Sequence, residues 1–179
     1  MRLPIPSLDK QPVKTFLVAL KTLIYMTGFV LFWGWIALSV RSFDRSVGFR
    51  LAAWSAWVVI VVAVAGAILA LICAGVFVIR GRGTPAPFDP PEEFVALGPY
   101  KYVRNPMYVG GLALLIGFGL YLRSVSILIL AVGLFLLVHS FVVFFEEPQL
   151  QKRFGATYEK YRQDVPRWIP GAPPAKRTQ

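Results

Sequence analysis

The sequence contains a single cysteine, Cys73, and this scarcity limits what the chain can build. One cysteine excludes a disulfide within the chain and a metal site made of several cysteines. Cys73 lies in the middle of a long uncharged apolar stretch, so we interpret it as a small packing residue. Because a site made of several cysteines is excluded, we predict a protein without a metal site. No internal repeat or low-complexity segment interrupts the chain.

Two other features are missing. The N-terminal region has no short apolar core ending in a small-residue cleavage site, so we expect the first apolar block to remain as an anchor. The net charge is +10, yet there is no separate basic domain with aromatic residues between its charges. We therefore expect no binding to nucleic acid. Loops that follow the positive-inside rule and attraction to anionic lipid headgroups account for the charge.

Long apolar blocks dominate what is present. Hydrophobic residues make up 56% of the chain, which is too high for an ordinary soluble domain. The charge-poor blocks are long enough to be membrane spans, although the third, at about 24 Å, is short for a 30 Å hydrocarbon core. We predict an all-α membrane protein with about four transmembrane helices. The blocks cover residues 17–40, 51–79, 107–122 and 125–145.

The distribution of lysine and arginine predicts the orientation of these spans. Fifteen of them lie in the N-terminal segment, the loop after the second block and the C-terminal tail, against four on the opposite side. Because cytoplasmic loops are enriched in these residues, we expect both termini in the cytoplasm. We divide the chain into two N-terminal spans, residues 1–79, and a core with the remaining spans and a C-terminal interfacial helix, residues 80–179.

The first informative polar segment precedes the third block. Four prolines between Pro85 and Pro91 exclude a long helix there, and Asn105-Pro106 is typical of a helix start, with Asn as the cap. The free N–H groups of that helix end, beside Lys101 and Arg104, can form an anion site. Three nearby tyrosines can pack on a flat ring, or the segment is an ordinary interfacial belt. They are Tyr100, Tyr102 and Tyr108.

A second polar cluster closes the fourth block. His139 and Glu146 are seven residues apart and share a helix face, and Pro148 directly follows Glu147. Ionisable groups at membrane depth usually face the protein interior, so the acid pair can bind a cation. The alternatives are a histidine hydrogen-bonded between helices and a solvated pair of acids at the span end. We expect Pro148 to break the helix or to start a new one.

An amphipathic stretch follows the acid pair. Apolar and aromatic residues recur at spacings of four, four, three and four, which predicts a helix on the membrane surface or over the bundle. This stripe consists of Leu150, Phe154, Tyr158, Tyr161 and Val165.

Three segments in this order resemble the isoprenylcysteine carboxyl methyltransferase family, whose relatives include the phospholipid N-methyltransferases. They are GPYKYVRNPMYVGG at 98–111, EEPQL at 146–150 and FGATYEKYRQDVPRWIP at 154–170. The family pattern Arg-His-Pro-x-Tyr-x-Gly is matched by Arg104, Pro106, Tyr108 and Gly110, with Asn105 where histidine is common. The resemblance covers about half the chain and adds nothing specific to the first two spans.

The resemblance implies an S-adenosylmethionine-dependent methyltransferase with its active site at the cytoplasmic face of a bacterial inner membrane. It implies Arg104, Glu147 and Arg167 as catalytic residues, Arg167 toward the polar end of the substrate. The implied cofactor contacts come from both polar clusters and the C-terminal segment. They are Tyr100, Lys101, Tyr102, Arg104, Asn105, Pro106, Tyr108, Gly110, His139, Glu146, Glu147, Leu150, Tyr158 and Tyr161.

The acceptor implied by this reading is lipophilic and enters from the bilayer, either as a carboxylate or as a lipid amine. A carboxylate needs no base, whereas an amine must be neutral, so a glutamate or His139 can take its proton. Two other functions fit parts of the sequence. One is an NADPH-dependent membrane reductase related to sterol reductases, and the other is a non-enzymatic scaffold or transporter subunit.

Overall fold

The computed structural model describes residues 11–47, 56–81 and 94–171. Every regular element in these ranges is helical, which confirms the all-α fold class. The α-helices are α1 (Gln11–Val40), α2 (Asp44–Val47), α3 (Ala56–Val76), α4 (Pro106–Tyr121), α5 (Val125–Phe141), α6 (Glu147–Phe154) and α7 (Ala156–Asp164). Short 3-10 segments cover Arg41–Phe43 and Gly98–Lys101, and π-helical turns cover Phe77–Gly81 and Val142–Glu146. The proline-rich loop at 85–91 lies outside the described residues.

Three helical stretches in the described ranges are long and apolar enough to cross a membrane, and α4 is a shorter apolar helix. They span Lys14–Ser46, Trp57–Arg80 and Val125–Phe154. The predicted shortness of the third block is confirmed, since α4 has 16 residues and a length of about 24 Å. The last stretch has 30 residues, about 45 Å. Its charged end therefore extends beyond a 30 Å apolar layer.

Helices α3 and α4 pack with their backbones almost in contact. A Cβ atom on Gly66 would lie 2.6 Å from the Gly110 carbonyl oxygen, and one on Gly117 would lie 2.8 Å from the Ala63 Cβ. Contacts move toward the start of α4 as α3 advances, so the two helices are antiparallel. Small residues thus create this interface, as they do between many membrane helices.

A short turn joins α4 to α5 and places their far ends on the same side of the bundle. Ser124 caps α5 by accepting a hydrogen bond from the Ile127 backbone N–H at 3.2 Å. Asp44 Oδ1, at the end of the α1 stretch, accepts from the Ser126 N–H at 2.9 Å. Ala37 of α1 packs into one apolar core with residues of α4 and α5. These contacts fix α1 against the hairpin that carries the polar cluster.

The prediction for Pro148 is confirmed in its second alternative, since the proline lies in the first turn of a new α-helical element, α6, although the helical path continues through it. The π turn Val142–Glu146 precedes it, and the Glu147 N–H donates to the Val142 carbonyl five residues back. This wider turn accommodates a residue that has no N–H and whose ring crowds a normal α-turn. The chain therefore passes from α5 into α6 without leaving the helix axis, and both glutamates lie at this junction.

The single amphipathic helix predicted after the acid pair is in fact two. Gly155 adopts φ +53°, a left-handed conformation that favours glycine, and separates α6 from α7. The aromatic residues of the stripe still face one side, since Phe154, Tyr158 and Tyr161 all contact the ring of Phe94. The break turns α7 so that these rings cover the segment before α4.

Candidate active site

Helix α4 begins at Pro106, as predicted, but its cap differs from the prediction. Asn105 occupies the N-cap position without a side-chain hydrogen bond to the helix. Its side-chain Nδ2 instead donates to the Arg167 carbonyl oxygen at 3.2 Å. The asparagine therefore ties the start of α4 to the C-terminal segment, and buried Pro106 follows it directly.

Residues 166–171, here called the C-terminal strap, run beside the segment that leads into α4. The Arg104 N–H donates to the Pro166 carbonyl at 2.9 Å, and the Gly171 N–H donates to the Tyr102 carbonyl at 3.0 Å. With the Asn105 side chain, these bonds hold both ends of the strap. The strap thereby brings Arg167 and Trp168 to the junction of α5 and α6.

Glu147 lies between two guanidinium groups. Arg167 donates from Nε to Oε1 at 2.7 Å and from Nη2 to Oε2 at 2.9 Å, a bidentate pair. The Nη1 of Arg104 lies 3.1 Å from Oε1. Only 8% of the Glu147 side chain is exposed. The hydrogen bonds to Glu147 raise the pKa of Arg167 above its ordinary value. Three predicted catalytic residues thus form one charged cluster.

Arg104 retains unused donor capacity inside this cluster. Its Nε and Nη1 atoms are buried and donate no hydrogen bond, so the contact with Glu147 is electrostatic. The side chain is 9% exposed, and it also interacts with the Tyr158 hydroxyl. Because a buried donor without an acceptor is costly, the unpaired Nε can accommodate an anionic ligand.

Glu146 has a different environment from its neighbour. Its Oε2 accepts a hydrogen bond from the Tyr108 hydroxyl at 3.0 Å. Among the described residues it forms no ion pair with lysine or arginine. One acid is therefore paired with two arginines, while the other is hydrogen-bonded to a phenol.

His139 does not contact the acids, although the heptad spacing places it on their face. Its Nδ1 accepts a hydrogen bond from the Trp168 indole N–H at 2.9 Å. The extra residue in the π turn changes the register between His139 and Glu146. The alternative of a hydrogen-bonded histidine is thus the observed one, with the strap as partner rather than another span. Trp168 was not predicted as a site residue, because no spacing pattern connects it to His139.

Aromatic side chains form one wall of the cluster. Tyr161 donates from its hydroxyl to the Tyr100 carbonyl oxygen at 2.7 Å, and both residues lie close to Phe94 or Phe77. Burial raises the pKa of Tyr158 to about 12 and raises the pKa of Tyr100 and Tyr161 above the ordinary value. All three phenols therefore stay neutral at physiological pH. Phe94 joins α6 and α7 to this wall and was not predicted.

Four predicted cofactor contacts lie elsewhere in the structure. Lys101 and Tyr102 have exposed side chains, and Leu150 is half-buried in α6. Gly110 faces Gly66 in the α3–α4 interface, where close packing alone requires glycine. A contact of these residues with a cofactor stays a prediction. Within the described ranges, no group of three or more histidine, cysteine or acidic residues has the arrangement of a metal site.

The fold and this cluster define an all-α membrane protein with a polar site at one end of its helices. Residues 82–157 match the family model of the phospholipid methyltransferases. The match confirms the family resemblance seen in the sequence: residues 82–157 are similar to the phospholipid methyltransferases, which supports a membrane methyltransferase. The matched range includes Arg104 and Glu147 and ends before Arg167. Comparison with curated proteins found no match, and neither did comparison with solved structures.

Proposed function

We propose that the protein is an integral membrane methyltransferase that uses S-adenosylmethionine and methylates a lipophilic acceptor. One observation carries the proposal beyond the family match. Arg104 is nine-tenths buried, pairs through Nη1 with Glu147 and keeps its Nε without a hydrogen-bond acceptor. A ligand with a carboxylate and an amino group complements these charges.

The residues around the cluster fit the parts of such a cofactor. The unpaired Nε of Arg104 and the N–H groups at the start of α4 would hold the carboxylate. Glu146, which pairs with no arginine among the described residues, would accept from the amino group or the ribose hydroxyls. The wall of Tyr100, Tyr158 and Tyr161 offers neutral rings against which adenine can pack. When bound, S-adenosylmethionine supplies an electrophilic methyl group.

Glu147 has a supporting role in this proposal. Both of its oxygens accept from Arg167, so it has little capacity left for a ligand. It orients the two guanidinium groups and compensates their charge at a buried position. The protein then contributes alignment of the acceptor with the methyl group and exclusion of water.

The acceptor would reach the site from the bilayer, which favours a lipid-like molecule over a water-soluble one. The lysine and arginine distribution favours a cytoplasmic location for both termini and the site, and the family resemblance favours a bacterial inner membrane. A carboxylate acceptor would react as the anion. A lipid amine would have to be neutral, and Glu146 would be suited to take its proton.

Transfer of radiolabelled methyl from S-adenosylmethionine into a total membrane lipid extract tests the proposal. The purified protein should label a lipid fraction, and Arg104→Ala should reduce the labelling to background. Alkaline hydrolysis then separates the acceptor classes, because a methyl ester releases methanol and an N-methyl group does not. Labelling that is equal in Arg104→Ala and the unchanged protein would contradict the assignment of the site.

A further inference from the structure

Trp168 of the C-terminal strap packs against aromatic side chains of the helical bundle. Its indole ring lies 5.3 Å from the Phe135 ring and 6.5 Å from the Tyr108 ring, measured between centroids. The same indole donates its N–H to His139 Nδ1 at 2.9 Å. Trp168 therefore contacts both α4 and α5, next to the residue that bonds Glu146.

The hydrogen bond determines which nitrogen of His139 carries a proton. An indole nitrogen can only donate, so His139 Nδ1 must accept and cannot hold a proton. The imidazole is then neutral, with its proton on Nε2. In this state His139 has no vacant nitrogen, because Nδ1 is bonded to Trp168 and Nε2 is already protonated.

We propose that Trp168 is a positioning residue that holds His139 as the neutral Nε2–H tautomer and keeps the strap docked on the site. It follows that His139 does not remove a proton from the acceptor, and that the side chain of Glu146 is the group left to act as the base. This consequence for the reaction rests on the proposed methyltransferase function. The tautomer does not, since it follows from the hydrogen bond alone.

Two further observations support a role in positioning. Two hydrogen bonds to the backbone of the strap hold Arg167 on Glu147. The Pro166 carbonyl accepts from the Arg104 N–H, and the Arg167 carbonyl accepts from the Asn105 side chain. Trp168 adds the only side-chain hydrogen bond between this strap and α5 within the described residues. Loss of the indole N–H should therefore loosen Arg167 as well as His139.

Nitrogen-15 NMR of the imidazole tests the tautomer directly. His139 is the single histidine of the chain, so protein labelled at histidine and purified with a histidine-free tag gives one pair of ring signals. We expect an unprotonated Nδ1 and a protonated Nε2. In Trp168→Phe, which keeps an aromatic ring and loses the donor, the signals should shift toward a tautomer mixture. Trp57→Phe, at a position 76% exposed, should leave them unchanged.

Methyl transfer by two His139 variants tests the consequence. Asparagine can place its side-chain oxygen near the position of Nδ1 and accept from Trp168. His139→Asn should therefore lower kcat by no more than about threefold, a smaller effect than the loss of one hydrogen bond would cause. His139→Ala, which leaves the indole N–H without an acceptor, should lower kcat by about tenfold.

A protonated Nδ1 in the unchanged protein, or identical imidazole signals in Trp168→Phe, would overturn the proposal. So would loss of activity in His139→Asn as complete as in Arg104→Ala, since His139 would then act in the chemistry itself. If no methyl transfer occurs in the unchanged protein but the NMR signals are as expected, the proposed function fails and the role of Trp168 in fixing His139 stands.

Discussion

The charge of Glu147 is the residue-scale feature on which the site depends most. Two arginines converge on one carboxylate that is almost completely buried. Removal of one partner from a buried ion pair leaves the other charges uncompensated, which typically costs 3–5 kcal/mol. Glu147→Gln should therefore weaken S-adenosylmethionine binding at least about tenfold and lower the unfolding free energy by about 3 kcal/mol.

Calorimetric titration and thermal unfolding in detergent measure the two effects of Glu147→Gln. Glu159→Gln is the matched control, because Glu159 pairs with Arg162 at a largely exposed position where an ion pair contributes little. The control should bind like the unchanged protein. Equal binding by Glu147→Gln and Glu159→Gln would remove Glu147 from the site.

Tyr108 is the second residue-scale test. Its hydroxyl is the donor to Glu146, so Tyr108→Phe keeps the ring and removes one hydrogen bond to this carboxyl group. A typical hydrogen bond contributes about 0.5–1.5 kcal/mol, so cofactor affinity should fall by roughly two- to tenfold. Tyr121→Phe, 65% exposed at the other end of α4, should have no effect on the titration. An unchanged cofactor affinity in Tyr108→Phe would mean that Glu146 does not take part in cofactor binding.

At this scale the sequence predicts which residues belong to the site better than it predicts which of them pair with each other. Arg104 and Glu147 could be found from the motif, and both are in one cluster. The pairing of Glu147 with Arg167 and of Tyr108 with Glu146 joins residues 20 and 38 positions apart, and depends on how the strap and α6 dock. Trp168 could not be assigned because its partner, His139, is 29 residues away on another element.

At the scale of elements, the α3–α4 interface gives the sharpest test. A Cβ on Gly110 would lie 2.7 Å from the Gly66 carbonyl oxygen and 3.0 Å from the Ala70 nitrogen, both of which are backbone atoms. Gly110→Ala should therefore force the helices apart and destabilise the protein by about 1–3 kcal/mol.

The neighbouring glycine provides a matched control on the same helix. A Cβ on Gly111 would meet nothing within 4 Å, so Gly111→Ala should be neutral or stabilise by up to about 1 kcal/mol through helix propensity. Thermal unfolding in detergent compares the two variants. Equal melting temperatures would mean that α3 and α4 do not pack closely.

Elements differ from the prediction where two local signals compete. The helical stripe from Leu150 to Val165 was correctly identified, but its regular spacing concealed the break at Gly155, whose left-handed conformation a period does not encode. Pro148 was expected to break the helix or to start a new one, and it lies in the first turn of α6, directly after a π turn that keeps the helical path continuous. A pattern of apolar residues predicts which face of a helix is buried. It does not predict a change in the backbone at a single residue, such as a left-handed glycine or a π turn.

At the scale of the whole molecule, the apolar blocks were sufficient to predict an all-α membrane protein. Their orientation is the remaining large-scale prediction. Ser46 ends the first apolar stretch and Gln163 lies in α7, and both are exposed. In intact cells a membrane-impermeant maleimide should label Ser46→Cys and should label Gln163→Cys only after permeabilisation. Cys73 is fully buried, so the unchanged protein is the control. The opposite labelling pattern would show that the orientation of the helices is the reverse of the predicted one.

The central claim is that the polar cluster at the start of α4 binds S-adenosylmethionine. Calorimetric titration of the detergent-purified protein with S-adenosylmethionine and S-adenosylhomocysteine, and with NADPH as the control, tests it most directly. We expect saturable binding of the first two ligands, which Arg104→Ala abolishes, and no binding of NADPH. Binding of NADPH alone, or equal binding by the Arg104→Ala variant, would contradict it.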